Sequence, residues 1–421
     1  MVEDASLRIA FITQWYPPEP ITVPKWIVTA LHDVGTTIEV VTAQPNYPTG
    51  RIYNGFSGWR RSRRTLDGIE IVRVPTYASH DSSAIRRMLN YLIFGFSSSI
   101  FGLGAIRRAD MALVYFSPPT AAMAALFGRL IYRKPFILYL QDLWPESLTA
   151  TGMLPESLAN NGAMRSLMNG GLHLLYRYAY SIAVISPGMK TRLIERGVPE
   201  NKITVIANWA DEKIYKAEVS SGEIRARYMV PHDALVLGYF GNHGKAQALD
   251  CWIRAVAAID PIDRPWIFLI GNGTEKARLI ELAQGLHLST VVFLDSIPAS
   301  EVPKYAAECN AQIVSLSNDP LFEITIPGKV QACLSLGQTI LATLKGDAAQ
   351  LVQTAQCGLT ASPEDSEDVV RLISEYRSLP DADRLAMGLR GREYYLEHMS
   401  SKSGALKFKS LFRNARGKLN R

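Results

Sequence analysis

Residues 235–247 read Leu-Val-Leu-Gly-Tyr-Phe-Gly-Asn-His-Gly-Lys-Ala-Gln. The first six form an apolar run of strand length; the rest is a glycine-punctuated polar loop that leads into helical text from Leu249. Glycines at a strand-to-helix passage let backbone amides approach a phosphate, a helix N-terminus adds partial positive charge, and Lys245 adds a full one. The stretch therefore predicts one βα unit of a parallel sheet, with a phosphate expected at Gly241, Asn242, Gly244, Lys245 and Gln247.

The same rhythm extends outward in both directions. Short apolar runs at 8–13, 38–42, 111–116, 135–140 and 181–185 alternate with helical patterns, and after Val205 a second set follows at 235–240, 266–270, 291–294, 311–315 and 339–342. Alternation of this kind predicts an α/β fold with helices on both faces of parallel sheets. The chain of 421 residues is longer than the roughly 250–300 residues at which single cores stop growing. Two Rossmann-like domains are expected, residues 1–207 and 208–395, with a basic helix at 396–421 packing back on the first. Open parallel sheets bind ligands beyond the carboxyl ends of their strands, so two facing sheets would hold a ligand in the cleft between them.

Composition narrows the function classes. With 48% hydrophobic and 20% charged residues the chain reads as globular throughout. The start, with Glu3 and Asp4 before a short apolar run, lacks the basic region and cleavage site of a signal peptide, which predicts a cytoplasmic protein. Cys251, Cys309, Cys333 and Cys357 show no metal-ligand spacing and read as buried free thiols. No metal and no cofactor are expected. The net charge of +6 attracts anionic surfaces. Its basic residues cluster at Arg60, Arg61, Arg63 and Arg64, at Arg86, Arg87, Arg107 and Arg108, and in the tail with Lys407, Lys409, Arg413, Arg416 and Lys418. None of these clusters carries a nucleic-acid-reading motif, so an anionic membrane surface is the expected partner and nucleic acid is not. Between Arg87 and Arg107 the strip 88–106 holds no charge. It is long enough to span a bilayer, but its Asn90, three serines and three glycines argue against a span. An amphipathic helix docked on lipid, or a buried core helix, are the readings left open.

Three loops at strand exits in the first half carry polar and aromatic groups: Gln14-Trp15-Tyr16-Pro17-Pro18-Glu19, Gln44-Pro45-Asn46-Tyr47-Pro48-Thr49-Gly50 and Gln141-Asp142-Leu143-Trp144-Pro145-Glu146-Ser147. Prolines stiffen such loops where they overhang a site. In the second half, Ile270-Gly271-Asn272-Gly273-Thr274-Glu275 repeats the glycine pattern. Phe322-Glu323-Ile324-Thr325-Ile326-Pro327-Gly328-Lys329 enters a helix with a lysine in its first turn, and Gly346-Asp347-Ala348-Ala349 opens another helix.

Taken in order, YPPE, PNYPTG, QDLWPES, GNHGKAQ, IGNGTE, TIPGK and GDAAQLV resemble the retaining glycosyltransferases of family four, and more narrowly a bacterial subgroup with the L-fucosamine transferases of surface-polysaccharide synthesis. The similarity covers nearly the whole chain. It implies the GT-B fold, a nucleotide-sugar donor (UDP before GDP) held by the C-terminal domain, and a lipid-linked sugar acceptor met by the N-terminal one. The enzyme would be metal-independent and peripheral on the inner face of the cell membrane. On this reading Lys245 and Lys329 neutralise the diphosphate, Glu323 bonds the donor sugar, and Gly271, Gly273 and Thr325 line the donor site. Asp347 either contacts donor or caps its helix. Asp142 orients the acceptor, and Trp15, Asn46, Tyr47 and Trp144 line its channel. The chain also departs from the family: Asn242 and Gln247 stand where many members carry arginine and lysine, the first loop lacks a glycine pair, and Ala332 stands where a ribose-binding glutamate is expected. An inactive GT-B protein that binds a partner or membrane, and a sugar-nucleotide epimerase, are the competing readings.

Overall fold

The computed structural model describes residues 7–79, 84–146 and 162–419. Glu3, Asp4, Ser147 and Arg421 lie outside the described residues. The chain separates into two compact units, residues 1–207 with 401–421, and residues 208–400.

The sheet of the first unit is built from β1 (Arg8–Ile12), β2 (Thr37–Ala43), β3 (Ser62–Leu66), β4 (Ile69–Val74), β5 (Met111–Phe116), β6 (Phe136–Leu140), β7 (Ser181–Val184) and β8 (Ile203–Val205), in the order β3-β4-β2-β1-β5-β6-β7-β8. Every side chain of β5 and β6 is buried, which is why these strands read as unbroken apolar runs: both faces are covered. Pairing is parallel except at one edge, where β3 runs antiparallel to β4. The expected parallel sheet is thus extended by one antiparallel edge strand that the apolar runs did not mark. Its cause is Asp67-Gly68, with φ of 51° and 78°, a two-residue hairpin turn that needs left-handed backbone at both positions. The first arginine cluster is drawn into this edge: Arg63 bonds Glu70 at 2.8 Å and reaches Glu39 at 3.4 Å, while Arg64 stands over the Phe56 ring at 4.9 Å.

Helices α1 (Val23–Asp33), α2 (Ala84–Phe101), α3 (Leu103–Arg108), α4 (Ala122–Tyr132) and α5 (Gly162–Tyr178) flank this sheet. The uncharged strip is two helices, broken at Gly102, where a Cβ would lie 2.5 Å from the Ser98 carbonyl oxygen. No helix among the described residues is long and apolar enough to cross a membrane. The inward face of α2 buries Asn90, Phe94, Ser97 and Ser98, whereas Phe96 and Ile100 are 57% and 67% exposed. The helix is therefore amphipathic in an unusual sense, with most of its large apolar side chains outward and Tyr91 and Phe94 turned inward.

The C-terminal helix, Ser401–Leu419, packs on α1. Phe408 and Phe412 are fully buried, Phe408 meets Tyr139 edge-on at 5.0 Å, and Lys409 Nζ donates to the Val34 carbonyl at 2.9 Å.

The second unit has a wholly parallel six-stranded sheet of β9 (Val236–Phe240), β10 (Trp266–Ile270), β11 (Val291–Leu294), β12 (Ala311–Ser315), β13 (Ile340–Thr343) and β14 (Gly358–Ala361), ordered β11-β10-β9-β12-β13-β14. Helices α6 (Leu249–Ala258), α7 (Gly328–Leu336) and α8 (Gly346–Thr354) carry the segments used below. All four cysteines are free and buried, and burial pushes each thiol up to about 12.

Because Phe408 fills space between the C-terminal helix and the first sheet, Phe408→Ala is expected to destabilise the chain by about 3–5 kcal/mol in chemical denaturation. Leu406→Ala, on the half-exposed side of the same helix, is expected to stay within about 0.5 kcal/mol.

Candidate active site

In both sheets the strand order reverses beside the first strand, between β1 and β5 and between β9 and β12. Loops leaving the strands diverge at such a point and open a crevice at the carboxyl edge. In the second unit, a cavity of about 300 Å³ lies there, lined by Phe240, Gly241, Ile270, Gly271, Gly328, Lys329 and Ala332 among others. Lys329 sits in the first turn of α7, whose N-cap, Pro327, offers no side-chain cap. The positive end of that helix and the lysine charge therefore lie together, although the Val330 amide is already bonded to Pro327 O at 2.9 Å.

The Lys329 ammonium donates to Tyr239 Oη at 2.5 Å and stands 4.2 Å from the centre of the Tyr239 ring. Tyr239 Oη in turn donates to the Asn242 carbonyl at 2.6 Å. Among the described residues no carboxylate pairs with Lys329. Burial therefore pulls its pKa down to about 8. The neighbouring Lys276 is different, since its ammonium is already taken up by Asp295 and the Gly271 and Leu294 carbonyls. His243 is fully buried against Tyr239 and Phe293, and burial and the two lysines hold its pKa near about 4. It is a neutral group packed beneath the loop and is not part of the cavity lining.

The glycine loop of residues 241–247 departs from its expected part. It does not run straight into a helix: a short turn at Lys245–Gln247 and a left-handed Ala248 precede α6. Its amides are already engaged. Gly241 N–H donates to Ile270 O and His243 N–H to Asn272 O, both at 2.9 Å, and Gly244 N–H donates to Gln247 Oε1 at 3.1 Å. Here the glycines serve packing of backbone on backbone. A Cβ on Gly271 would fall 1.8 Å from the Gly241 carbonyl oxygen, and one on Gly273 2.4 Å from that of His243. Asn242 and Gln247, at the places of the family's arginine and lysine, bond each other at 3.2 Å. Lys245 is exposed and outside the cavity lining. Thr325 Oγ1 donates to Leu321 O at 2.6 Å. Glu323 is exposed, with Gly346 packed against its backbone, and Asp347 lies in the first turn of α8, past the N-cap Lys345.

In the first unit the exits of β1, β2, β5 and β6 meet along one edge. Asp142 follows β6 and accepts from Ser117 Oγ, after β5, at 3.0 Å. The carboxylate reaches solvent, but the surrounding protein raises its pKa, which the Ser117 bond partly offsets. Trp15 lies 6.0 Å from Tyr47 and 6.3 Å from Tyr91. Asn46, expected to line an acceptor channel, is buried and donates to Gln44 O at 2.9 Å while accepting from Asn90 Nδ2 at 3.4 Å. It braces the loops from within. Trp144 is also buried.

These loops are held by Glu19. Its carboxylate accepts from the amides of Tyr16 at 3.1 Å, Asn46 at 2.8 Å and Tyr47 at 2.9 Å, so it ties the first exit loop to the second. Burial raises its pKa against those three bonds, and the charge of buried Arg73 opposes the rise. Sequence reading assigned no role to Glu19, Ser117, Asn90 or Tyr91. Ser117-Pro118-Pro119 directly after β5 was a readable fourth strand exit; the others act through contacts distant in sequence.

The model of the family described as "Glycosyl transferase 4-like domain" matches residues 21–209, and that of "Glycosyl transferases group 1" matches residues 234–377. The chain is 26% identical over 394 residues to the colanic acid biosynthesis glycosyl transferase WcaI of Escherichia coli (strain K12), covering 90% of this chain and 93% of the relative. It is 22% identical over 301 residues to the glycosyltransferase WbjE of Pseudomonas aeruginosa, covering 70% and 73%. The chain belongs to the glycosyltransferase group 1 family. Among solved structures, Anabaena HepE in complex with UDP superposes with a TM-score of 0.69 at 15% identity, covering 97% of this chain and 100% of that one. The fold is that of the GT-B glycosyltransferases: two α/β units with parallel sheets.

In this glycosyltransferase, a lysine with a pKa near 8 gives two opposite pH responses. An anion that needs the ammonium is expected to bind about tenfold more weakly at pH 9 than at pH 7. Stability moves the other way. The unfolded chain, with a lysine pKa of about 10.4, binds more protons than the folded one between those values, so the cost of burying the charge fades as pH rises from 8. Lys329→Met is therefore expected to raise the thermal midpoint below pH 8, by an amount that shrinks towards pH 10, and to abolish the pH dependence of UDP binding measured by calorimetry.

Proposed function

We propose that the chain is a retaining, metal-independent hexosyltransferase. It moves a deoxy- or N-acetylhexose from a UDP-sugar to a lipid-linked glycan in bacterial surface-polysaccharide synthesis, at the inner face of the cell membrane. The observation that carries the reading is Lys329: a half-buried cation without a carboxylate partner, in an otherwise largely apolar cavity at a helix N-terminus. An uncompensated cation so placed is costly unless an anion completes it. A nucleoside diphosphate fits, and the named activities of WcaI and WbjE and the UDP held by HepE support that choice.

The chemistry follows from charge. As the bond from sugar to diphosphate breaks, negative charge grows on the leaving phosphate oxygen, and Lys329 and the first amides of α7 stabilise it there more than in the ground state. The same oxygen can accept the proton of the acceptor hydroxyl on the face it leaves, which retains configuration without a strong general base. Asp142, oriented by Ser117, holds the acceptor. Glu323 and Asp347 are the carboxylates assigned to the donor sugar, and exposed Lys245 contributes at longer range.

One observation favours a binding-only protein, namely the neutral Asn242–Gln247 pair at the basic positions of relatives. Turnover decides between the two. Lys329→Ala is expected to lower transfer some 30- to 1000-fold, about 2–4 kcal/mol, Lys245→Ala less than about tenfold, and Asp142→Asn to lose transfer while binding UDP normally. No turnover by the wild type with any UDP-sugar would leave the binding-only reading.

Membrane docking is read from α2 to α5. These four helices contain no aspartate or glutamate, while Arg86, Arg87, Arg107, Arg108, Arg129, Arg165 and Arg177 lie on them beside exposed Phe96, Ile100, Phe127, Leu130 and Ile131. Cationic and apolar groups together suit an anionic bilayer. Binding to phosphatidylglycerol-containing vesicles is expected to weaken, without vanishing, as salt rises, and to be lost in the Phe96→Ser, Ile100→Ser double variant with UDP binding unchanged. Equal vesicle sedimentation by variant and wild type would contradict the docking face.

A further inference from the structure

The apolar face of the first unit is indented. A groove of about 620 Å³ has Leu89 and Leu92 of α2 and Leu172 and Leu175 of α5 in its wall, with Tyr91 and Trp144. Flat docking on lipid needs no such recess. Two polar side-chain atoms in its wall, Thr120 Oγ1 and Trp144 Nε1, find no hydrogen-bond partner among the described residues. Trp144 is 6% exposed, and its indole N–H is a buried donor with no acceptor among the described residues, so it adds one polar point to a wall that is otherwise almost wholly apolar.

The groove is continuous with the acceptor cluster. Tyr91 meets Trp15 edge-on, at 6.3 Å and 86°, and Trp144 follows Asp142 by two residues in the same strand-exit loop. Tyr91 also lies close enough to Asp142 for that carboxylate to help raise its phenol, after burial, the largest cause. An apolar recess thus runs from helices that carry arginines and no carboxylate of their own to Tyr91 and Trp144, which adjoin the loop that carries Asp142. A protein partner of ordinary mixed charge is poorly matched by such a face. A hydrocarbon chain drawn from an anionic bilayer is matched by both the recess and its surroundings.

We propose that this groove binds the hydrocarbon chain of the lipid-linked acceptor, and so sets which part of the lipid reaches Asp142. The proposal rests on the acceptor reading above and adds a ligand site to it. The enzyme then measures its acceptor partly by chain length. A lipid seated in the groove presents its glycan to Asp142 in a fixed register, whereas a short-chain analogue is not so held.

Gly171 provides a test that does not depend on removing core. It lies in the groove wall, and a Cβ built on it meets nothing within 4 Å among the described residues. Gly171→Phe starts from a Cβ position that is open and directs its ring into the recess, and phenylalanine is a better helix former than glycine. Gly170 is equally open but is not part of this groove, so Gly170→Phe is the matched control and Gly171→Ala the conservative one. The measurement is calorimetric binding of isopentenyl and farnesyl monophosphate to the full-length protein, below micelle-forming concentrations, with UDP and vesicle binding recorded in parallel.

The wild type, Gly171→Ala and Gly170→Phe are expected to bind the fifteen-carbon lipid at least about tenfold more tightly than the five-carbon one, since each buried methylene adds to affinity. Gly171→Phe is expected to bind both equally weakly while keeping UDP and vesicle binding. A wild type that does not distinguish the two chain lengths, or a Gly171→Phe variant that still does, overturns the groove. If UDP still binds in that case, the donor reading survives. Chain-length preference without any UDP binding would support the groove and sink the transferase reading. Self-association of the wild type that Gly171→Phe abolishes, with no chain-length preference, would overturn the proposal in favour of a second copy in the groove.

Discussion

The Lys329 ammonium is held over the Tyr239 ring with no carboxylate to neutralise it, and the loops of the second unit are shaped around that placement. Gly241 is glycine because its φ of +136° is a conformation L side chains rarely adopt, and its bare Cα leaves room for Lys329 Cε, which a Cβ would meet at 2.8 Å. Gly271 must then be glycine because the Gly241 carbonyl lies against it. Lys276, the other nearby cation, is quenched by Asp295 and carbonyl oxygens, and His243 is kept neutral by burial. Of these three basic groups at the carboxyl edge of the sheet, Lys329 alone keeps a charge without an anion. A low-dielectric wall makes such a charge costly in the empty protein and strong once an anion arrives. The structure carries that cost at a position useful for a leaving diphosphate.

The first unit depends on a charge of the opposite sign used for a different end. Glu19 takes three backbone amides from two separate loops, so residues 16–19 and 46–47 move as one body. Glu19, followed by Pro20, makes a buried clamp, and Asn242 with Gln247 makes a fixed neutral bond. Both stiffen the loops in which they lie.

The α/β rhythm was readable because strands buried on both faces show as unbroken apolar runs; Met111–Phe116 and Trp266–Ile270 lie where their sequence placed them. The antiparallel edge was missed because Ser62–Leu66, Ser-Arg-Arg-Thr-Leu, is exposed along most of its length and has no apolar signature, although Asp67-Gly68 announced a hairpin. Among the candidate site residues, the place of Lys329 in the first turn of a helix was legible from the loop before it. The glycines of residues 241–244 were legible as special backbone but not for their reason. A glycine that admits a phosphate and one that admits another strand's carbonyl look alike in one dimension. Asn46 and Glu19 show the same limit in reverse: a polar residue in a proline-rich loop can face a substrate or brace the loop, and contacts 27 to 44 residues away decide which.

Whether the Lys329 charge exists to meet a nucleoside diphosphate is reported directly by its titration. With lysine side chains isotopically labelled and Lys329 assigned by substitution, NMR can follow its ammonium across pH in the free protein and with UDP bound. A pKa near 8 is expected in the free protein, with a clear rise on UDP binding, because the diphosphate stabilises the charged form. UDP bound at saturation with the Lys329 pKa unmoved would place the diphosphate elsewhere and contradict the role proposed for Lys329.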